Sequence, residues 1–125
     1  SWARLLGGLN QAMISNVWLS EFKLTFKTAG RKQAAEKGKP VSLGLVGYAV
    51  GRSEVALPTV GRFMESLKKN KNFSDYFEEI ELEDIRNYVI SGEEVMMFKL
   101  VCKFKTEKPA AAGKKKPKAK KKKRR

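Results

Sequence analysis

Histidine is absent from this chain of 125 residues, and cysteine occurs once, as Cys102. Without histidine the chain can form neither a histidine-based catalytic triad nor a zinc site of the ordinary cysteine and histidine kind. A single cysteine cannot form a disulfide within the chain, so burial of apolar side chains must stabilise the fold. Cys102 lies in an alternating apolar segment, and we predict that it is a buried core residue and not a nucleophile.

Other signatures of catalysis and cofactor binding are missing as well. Gly44, Gly47 and Gly51 match neither the dinucleotide-binding fingerprint nor the phosphate-binding loop. The acidic residues between Glu78 and Asp84 could supply a catalytic or metal-binding pair, but acids that alternate along an edge strand more often face solvent. We therefore expect a protein that is not an enzyme and that has no cofactor and no metal.

Long apolar runs are absent too. No stretch of apolar residues approaches the roughly 20 that a membrane helix needs, so we expect no segment to span a bilayer. The chain begins with Ser1 and not with methionine. We interpret this start as that of a processed or excised piece, so that any signal peptide or membrane anchor would lie upstream.

The net charge of +14 is concentrated at the end of the chain. Residues 108–125 contain nine lysines, two arginines and no acidic residue, which leaves +3 on the residues before them. Such a segment cannot form a packed core, so we predict a domain of residues 1–105 and a disordered tail of residues 106–125. The tail could bind nucleic acid, anionic lipid or an acidic cell-wall polymer, or it could be solvated without a ligand. The candidate contact residues are Lys114, Lys115, Lys116, Lys118, Lys120, Lys121, Lys122, Lys123, Arg124 and Arg125.

Four segments have the residue pattern of β-strands. Residues 41–50 carry no charge and predict a strand buried on both faces, and residues 95–104 alternate in a second apolar strand. Residues 17–27 and 80–90 are charged strands, and the latter slips phase between Leu82 and Ile85, as a β-bulge does. Ser91 and Gly92 predict a tight turn, and residues 28–40 a solvated loop. In the first strand one predicted face holds Phe22, Leu24 and Phe26, and the other holds Glu21, Lys23, Thr25 and Lys27.

Two further segments have the apolar spacing of amphipathic helices. The first covers residues 1–13, with an apolar stripe of Trp2, Leu5, Leu6, Leu9 and Met13. The second follows Gly51, with Ser53 as the predicted N-cap, and ends before a turn at residues 70–73. Its predicted stripe is Val55, Val60, Phe63, Met64 and Leu67.

The order of these elements predicts an α+β domain. Charged strands belong at the edges of a sheet, where charge discourages unwanted pairing. The four strands then form an antiparallel sheet in the order three, four, two, one, and both helices pack on one face. We therefore predict a circularly permuted ferredoxin-like fold, αββαββ, with a four-stranded antiparallel sheet.

No helix remains to cover the second face of this sheet. Its two central strands would place four apolar side chains there, and such an exposed patch is typical of a protein-binding surface. A small patch that is merely solvated is the alternative. The candidate partner-binding residues are Tyr48, Val95, Met97 and Val101.

The apolar positions of the chain also resemble those of a known family. Val17, Trp18 and Leu19 precede the first strand's charged part, and further matching positions are Leu43, Leu45, Gly47, Ala49, Val60, Phe63, Met64, Leu67 and Phe73. This series resembles the PilN family of type IV pilus assembly proteins over nearly all of residues 1–104. The final domain of the type II secretion protein GspL is similar as well. The passage from Gly47 to Val60 is longer than in the family pattern, and the polylysine end is not part of that pattern.

The resemblance implies a structural scaffold of the inner-membrane alignment complex, with a role in pilus assembly and twitching motility. It implies that the chain is the periplasmic domain of a single-pass inner-membrane protein. The partners it implies are a PilO-like protein or a second copy of the chain, and a PilM-like protein bound through an N-terminal segment that this chain lacks.

A nucleic-acid-binding module of ferredoxin-like fold is the alternative from another class of function, and the basic tail supports it. An RNA-recognition sheet carries stacking aromatic residues and a Lys/Arg-Gly-Phe type of motif on its open face. The last strand here offers valine, methionine and lysine instead. The sequence therefore favours the scaffold.

Overall fold

A computed structural model describes residues 1–26 and 39–106. Most of the predicted loop at residues 28–40, Lys27 and all of the tail from residue 107 lie outside this description. The elements in chain order are α1 (Trp2–Ala12), β1 (Val17–Phe26), β2 (Pro40–Val50), α2 (Ser53–Lys69), α3 (Lys71–Ser74), β3 (Phe77–Ile90) and β4 (Glu93–Phe104).

The four strands form one antiparallel sheet in the order β1-β2-β4-β3. The predicted α+β class, the permuted ferredoxin-like order of elements and the predicted strand order are all confirmed. The uncharged β2 and the apolar β4 lie in the centre, and the charged β1 and β3 lie at the edges. Charge along a strand was thus enough to order the sheet, because an edge strand can keep its charged side chains in water. The prediction that residues 41–50 are buried on both faces is wrong, because only alternate residues of β2 are buried and those between them are half-buried.

Both long helices pack on one face of the sheet, as predicted. Alternate residues of the central strands meet the buried side chains of α1 and α2 in a single apolar cluster. Phe63 of α2 contacts Phe98 of β4 with ring centroids 5.7 Å apart. The strand residues on this covered face are Leu43, Leu45, Gly47 and Ala49 of β2 and Met96, Phe98, Leu100 and Cys102 of β4.

Gly47 is required where β1, β2 and β4 approach one another on the covered face. A Cβ atom at this position would lie 2.6 Å from the Trp18 carbonyl oxygen and 2.7 Å from Cζ of Phe98. Neither the backbone nor a fully buried ring can move away freely. The close packing of this part of the core therefore depends on position 47 being a glycine, which has no side chain.

The start of α2 differs from the prediction. Ser53 is already the first helical residue, so it cannot be the N-cap, and its Oγ donates to Oδ1 of Asn87 at 3.4 Å. Arg52 occupies the cap position without a side-chain bond to the helix. The predicted stripe was also wrong at Val55, which lies in the first turn and is exposed. The buried residues of α2 are Ala56, Thr59, Val60, Phe63 and Leu67, a stripe that begins one residue later.

In α1 the predicted stripe is only partly correct. Leu5 and Leu9 are buried, but Trp2 and Leu6 are exposed. Gly8 and Ala12 are buried in their place. Gly8 lies against α3, which occupies the predicted turn, and a Cβ atom there would lie 2.6 Å from the Phe73 nitrogen. The buried stripe is therefore set by a close helix contact that favours small residues.

The hairpin between β3 and β4 confirms two predictions. Ser91 and Gly92 form the turn with positive φ angles of 51° and 79°, and Ile90 pairs with Glu93 across it. The register of β3 shifts between Leu82 and Asp84, at the predicted phase slip. The strand begins at Phe77 and not at Ile80, because Phe77 pairs with Phe104 of β4.

Candidate interaction face

The open face is the side of the sheet that α1 and α2 do not cover. The register of the strands defines its four central rows, each of which runs from β1 through β2 and β4 to β3. The rows are Trp18, Tyr48, Met97 and Arg86; Glu21, Val46, Lys99 and Asp84; Lys23, Gly44, Val101 and Glu81; and Thr25, Ser42, Lys103 and Glu79.

Three of the four predicted partner-binding residues lie in these rows. Tyr48 and Met97 are directly paired, and Val101 lies opposite Gly44 two rows away. All three are half-buried by their neighbours in the sheet. Together they form a partly exposed apolar surface along the two central strands.

The fourth residue, Val95, was predicted to be exposed, and that prediction is wrong. Its side chain is only 3% exposed. Val95 is paired with Val50 on one side and with Tyr88 on the other, so strands flank it on both sides. A partner on the open face would meet these neighbours before it met Val95.

The most exposed apolar side chain of the central rows is Trp18, which sequence reasoning did not include. Its ring stacks on Tyr48 with centroids 5.2 Å apart and an interplanar angle of 25°. The tryptophan is 41% exposed, which makes it the prominent part of the apolar surface. Such a preordered aromatic pair is well suited to bind an apolar group of another molecule.

A bulge explains why Trp18 was missed. The β1 register shifts between Leu19 and Glu21, so Ser20 is an extra residue in the pairing with β2. Strict alternation would have placed Trp18 on the same side as Phe22. The bulge moves Trp18 to the open face, whereas Phe22 pairs with Leu45 of the covered face. The only sequence signal was a serine in an otherwise apolar start of the strand.

The charges on the open face are nearly balanced. Lys99 Nζ lies 3.3 Å from Oε1 of Glu83, and Lys103 Nζ lies 3.7 Å from Oε1 of Glu79. With Glu83 included, the four rows hold five acidic and four basic side chains. Most of the acidic groups lie on β3, and the apolar surface lies between them and β1. Among the described residues, the four rows therefore have no basic field of the kind that draws in a polyanion.

Two neighbouring carboxyls on the β3 edge are coupled. A hydrogen bond shared with Glu81 lowers the pKa of Glu79, and Lys103 favours the same direction. The same hydrogen bond and the charge of Glu79 raise the pKa of Glu81. Both groups are exposed, so the two opposite shifts are a local effect at the surface of the sheet.

Cys102 is on the covered face and fully buried, which confirms its prediction as a core residue. Burial raises the pKa of its thiol to about 12. The thiolate is the reactive form of cysteine, so the folded protein holds this sulfur in its unreactive form at neutral pH.

The chain has no match among protein-family models or among curated proteins. Within residues 1–26 and 39–106, none of the helices has the length and apolar character needed to cross a membrane. The predicted contact residues of the tail, Lys114 to Arg125, lie outside the described part of the chain.

Proposed function

We propose that this domain is a non-enzymatic scaffold that binds another protein through the open face of its sheet. The Trp18–Tyr48 stack with the neighbouring Met97 is the observation that carries the proposal. Aromatic residues and methionine are enriched at protein interfaces, and a few such anchors supply most of the binding energy. The balanced charge around the stack fits a protein surface better than a polyanion.

The biological setting that we propose is the inner-membrane alignment complex of the type IV pilus. The chain has the permuted ferredoxin-like fold that its resemblance to the PilN family implies, and this agreement supports the proposal. A PilO-like protein is then the partner, and the periplasm is the compartment. The corresponding complex of type II secretion, with a GspL-like role for this chain, is the related alternative.

The proposal is tested by removing the aromatic anchor. We expect Trp18→Ala to weaken binding to the periplasmic domain of a PilO-like partner by at least about tenfold, as expected for a central aromatic contact. Binding is measured by titration calorimetry. Leu57→Ala is the matched control, because Leu57 is also about half exposed but belongs to α2 on the covered side. Equal affinity of both variants and the native chain would contradict the proposed surface.

A charge placed in the apolar surface is a second test of the same face. Met97→Glu should abolish association with the partner while leaving the unfolding transition close to that of the native chain, because Met97 is outside the core cluster. Val89→Glu introduces the same charge at an exposed site away from the four rows. Loss of binding in both variants would point to a general charge effect and not to this surface.

The nucleic-acid alternative makes a different prediction for the same residue. Stacked aromatic residues can form a platform for bases, so binding to the open face would depend on Trp18. If the basic tail alone holds nucleic acid, Trp18→Ala leaves the affinity of single-stranded RNA unchanged, and removal of residues 108–125 eliminates it. Salt-sensitive RNA binding that survives this truncation and is lost in Trp18→Ala would replace the scaffold proposal with the alternative.

A further inference from the structure

The first strand, β1, is an edge strand with apolar side chains still exposed. Its neighbour in the sheet is β2, and its other side has no partner strand within the described residues. Phe22 points to the covered side of the sheet but is 48% exposed, because α1 and α2 leave the rim of the sheet uncovered. An unpaired strand edge of this kind can accept another strand.

The charges around Phe22 are self-complementary. Glu21 and Lys23 flank it in sequence, and both point to the open face, where they are exposed. Neither forms an ion pair with a residue that the structure describes. Opposite charges two residues apart on one face of a strand can pair with the same two charges of an antiparallel copy.

We propose that β1 pairs in antiparallel orientation with β1 of a second copy of this chain. The two-fold axis passes between Phe22 and the partner's Phe22. This register places Glu21 opposite the partner's Lys23 and Lys23 opposite the partner's Glu21. It places Phe22 against the partner's Phe22 on the covered side, where the two aromatic rings bury each other. The two sheets join into one continuous sheet, and the interface is isologous.

Two other pairings of the edges oppose like charges. An axis through Lys23 would place this residue opposite the partner's Lys23. The β3 edge carries Glu78, Glu79, Glu81, Glu83 and Asp84 and one basic residue, Arg86, so self-pairing there would bring carboxylates together. Register shifts on both sides of residues 21–25 also confine regular pairing to the segment that holds the complementary charges.

This self-association goes beyond the proposed function and does not depend on it. The two-fold axis is normal to the sheet, so the open faces of both copies lie on the same side. The Trp18–Tyr48 stacks therefore stay accessible in the dimer. Loss of the dimer and loss of partner binding are separate observations with separate variants.

The test is a charge exchange, measured by sedimentation of the full chain over a concentration series. The buffer has about 0.15 M salt, where the Debye length of about 8 Å weakens the interaction of separated charges more than that of charges in direct contact. We expect the native chain to form a dimer. E21K and K23E should each raise its dissociation constant at least about tenfold, because the two-fold axis places each substitution in the interface twice. The double variant E21K/K23E restores the pairs with reversed sign and should restore the dimer.

Mixing the two single variants is the sharpest measurement, because E21K against K23E makes every cross-strand pair opposite in charge. The mixture should form a dimer with a lower dissociation constant than either variant alone. E78K is the matched control, since it changes the net charge as E21K does, on the other edge of the sheet. A native chain that stays monomeric overturns the proposal. So do a dimer that E78K weakens as much as E21K, and a mixture that associates no better than its components.

Discussion

The two faces of the sheet use the same two central strands in opposite ways. On the covered face, alternate residues of β2 and β4 are fully buried against the helices, and one missing side chain, at Gly47, is needed for the packing. On the open face, the residues of β2 between them are half-buried, and two exposed lysines of β4 pair with acids of β3. Neighbouring residues of one strand therefore have different roles: one packs in the core, and the next belongs to a surface that can contact another molecule. The comparison predicts large stability effects on one face and small ones on the other.

The largest expected effect comes from truncating neighbours on β4 that point to opposite faces. Phe98→Ala should lower the free energy of unfolding by about 3–5 kcal/mol, because it leaves a cavity beside Phe63 in a fully buried site. Met97→Ala, one residue earlier on the open face, should cost less than about 1 kcal/mol. Urea unfolding of both variants measures the difference. Similar losses would mean that the open face is packed as tightly as the core.

The reactivity of the Cys102 thiol is a second measure of how well the covered face is closed to solvent. With its pKa raised to about 12 by burial, Cys102 should react at pH 8 at least about 10³-fold more slowly in the folded chain than in the unfolded chain, where the ordinary value is about 8.5. The reaction is followed with a coloured disulfide reagent with and without denaturant. Rapid labelling of the folded chain would show that this part of the core opens.

The two glycines of β2 provide a smaller and more exact comparison. Gly47→Ala should destabilise the fold by about 1–3 kcal/mol, because the added methyl meets the Trp18 carbonyl, the buried Phe98 ring and a partly buried leucine. Gly44→Ala on the open face should be neutral or slightly stabilising, since the nearest atom would be 3.7 Å from its Cβ. Thermal unfolding of the Gly47→Ala and Gly44→Ala variants measures the difference in stability. An equal loss at Gly44 would contradict the open packing described for that face.

The smallest effect is expected from the coupled carboxyls on the open face. Glu79→Gln should let the pKa of Glu81 fall toward its ordinary value, because the charge and the hydrogen bond that raise it are removed. Carboxyl carbon titration by NMR follows the change, with Glu78→Gln as the control. An unchanged pKa of Glu81 in Glu79→Gln would show that the two groups are not coupled.

The same pair contributes to the pH dependence of stability in two opposite directions. The lowered pKa of Glu79 contributes stability above its unfolded value, which is lost as pH falls through the folded value. The raised pKa of Glu81 contributes stability below its unfolded value, which is lost as pH rises through the folded value. The two contributions oppose each other where glutamates titrate.

Several features followed from the sequence because they depend on local pattern or on charge. The uncharged residues 41–50 predicted a central strand, and the charges of residues 80–90 predicted an edge. The phase slip after Leu82 predicted a bulge that the register shows. Each of these depends on whether a side chain can be taken out of water, which the residue type itself determines.

The misses depend on contacts between distant segments. Val95 is buried where it is paired with Val50 and Tyr88, and Gly8 is buried because α3 lies against it. Leu6 has the correct spacing for a helix stripe but remains exposed, since none of the described elements covers that side of α1 at its position. None of these neighbours is near in sequence, so periodicity could not reveal them.

The amino-acid sequence by itself determined which strands are central, which are edges, and which alternate residues of β4 form the core. Only the tertiary structure decided that Trp18 belongs to the open face. The physical reason is the bulge at Ser20, which changes the phase of β1 where it pairs with β2. A local pattern cannot show where such an extra residue lies, and so cannot show which face the residues before it occupy, because the partner strand sets the register.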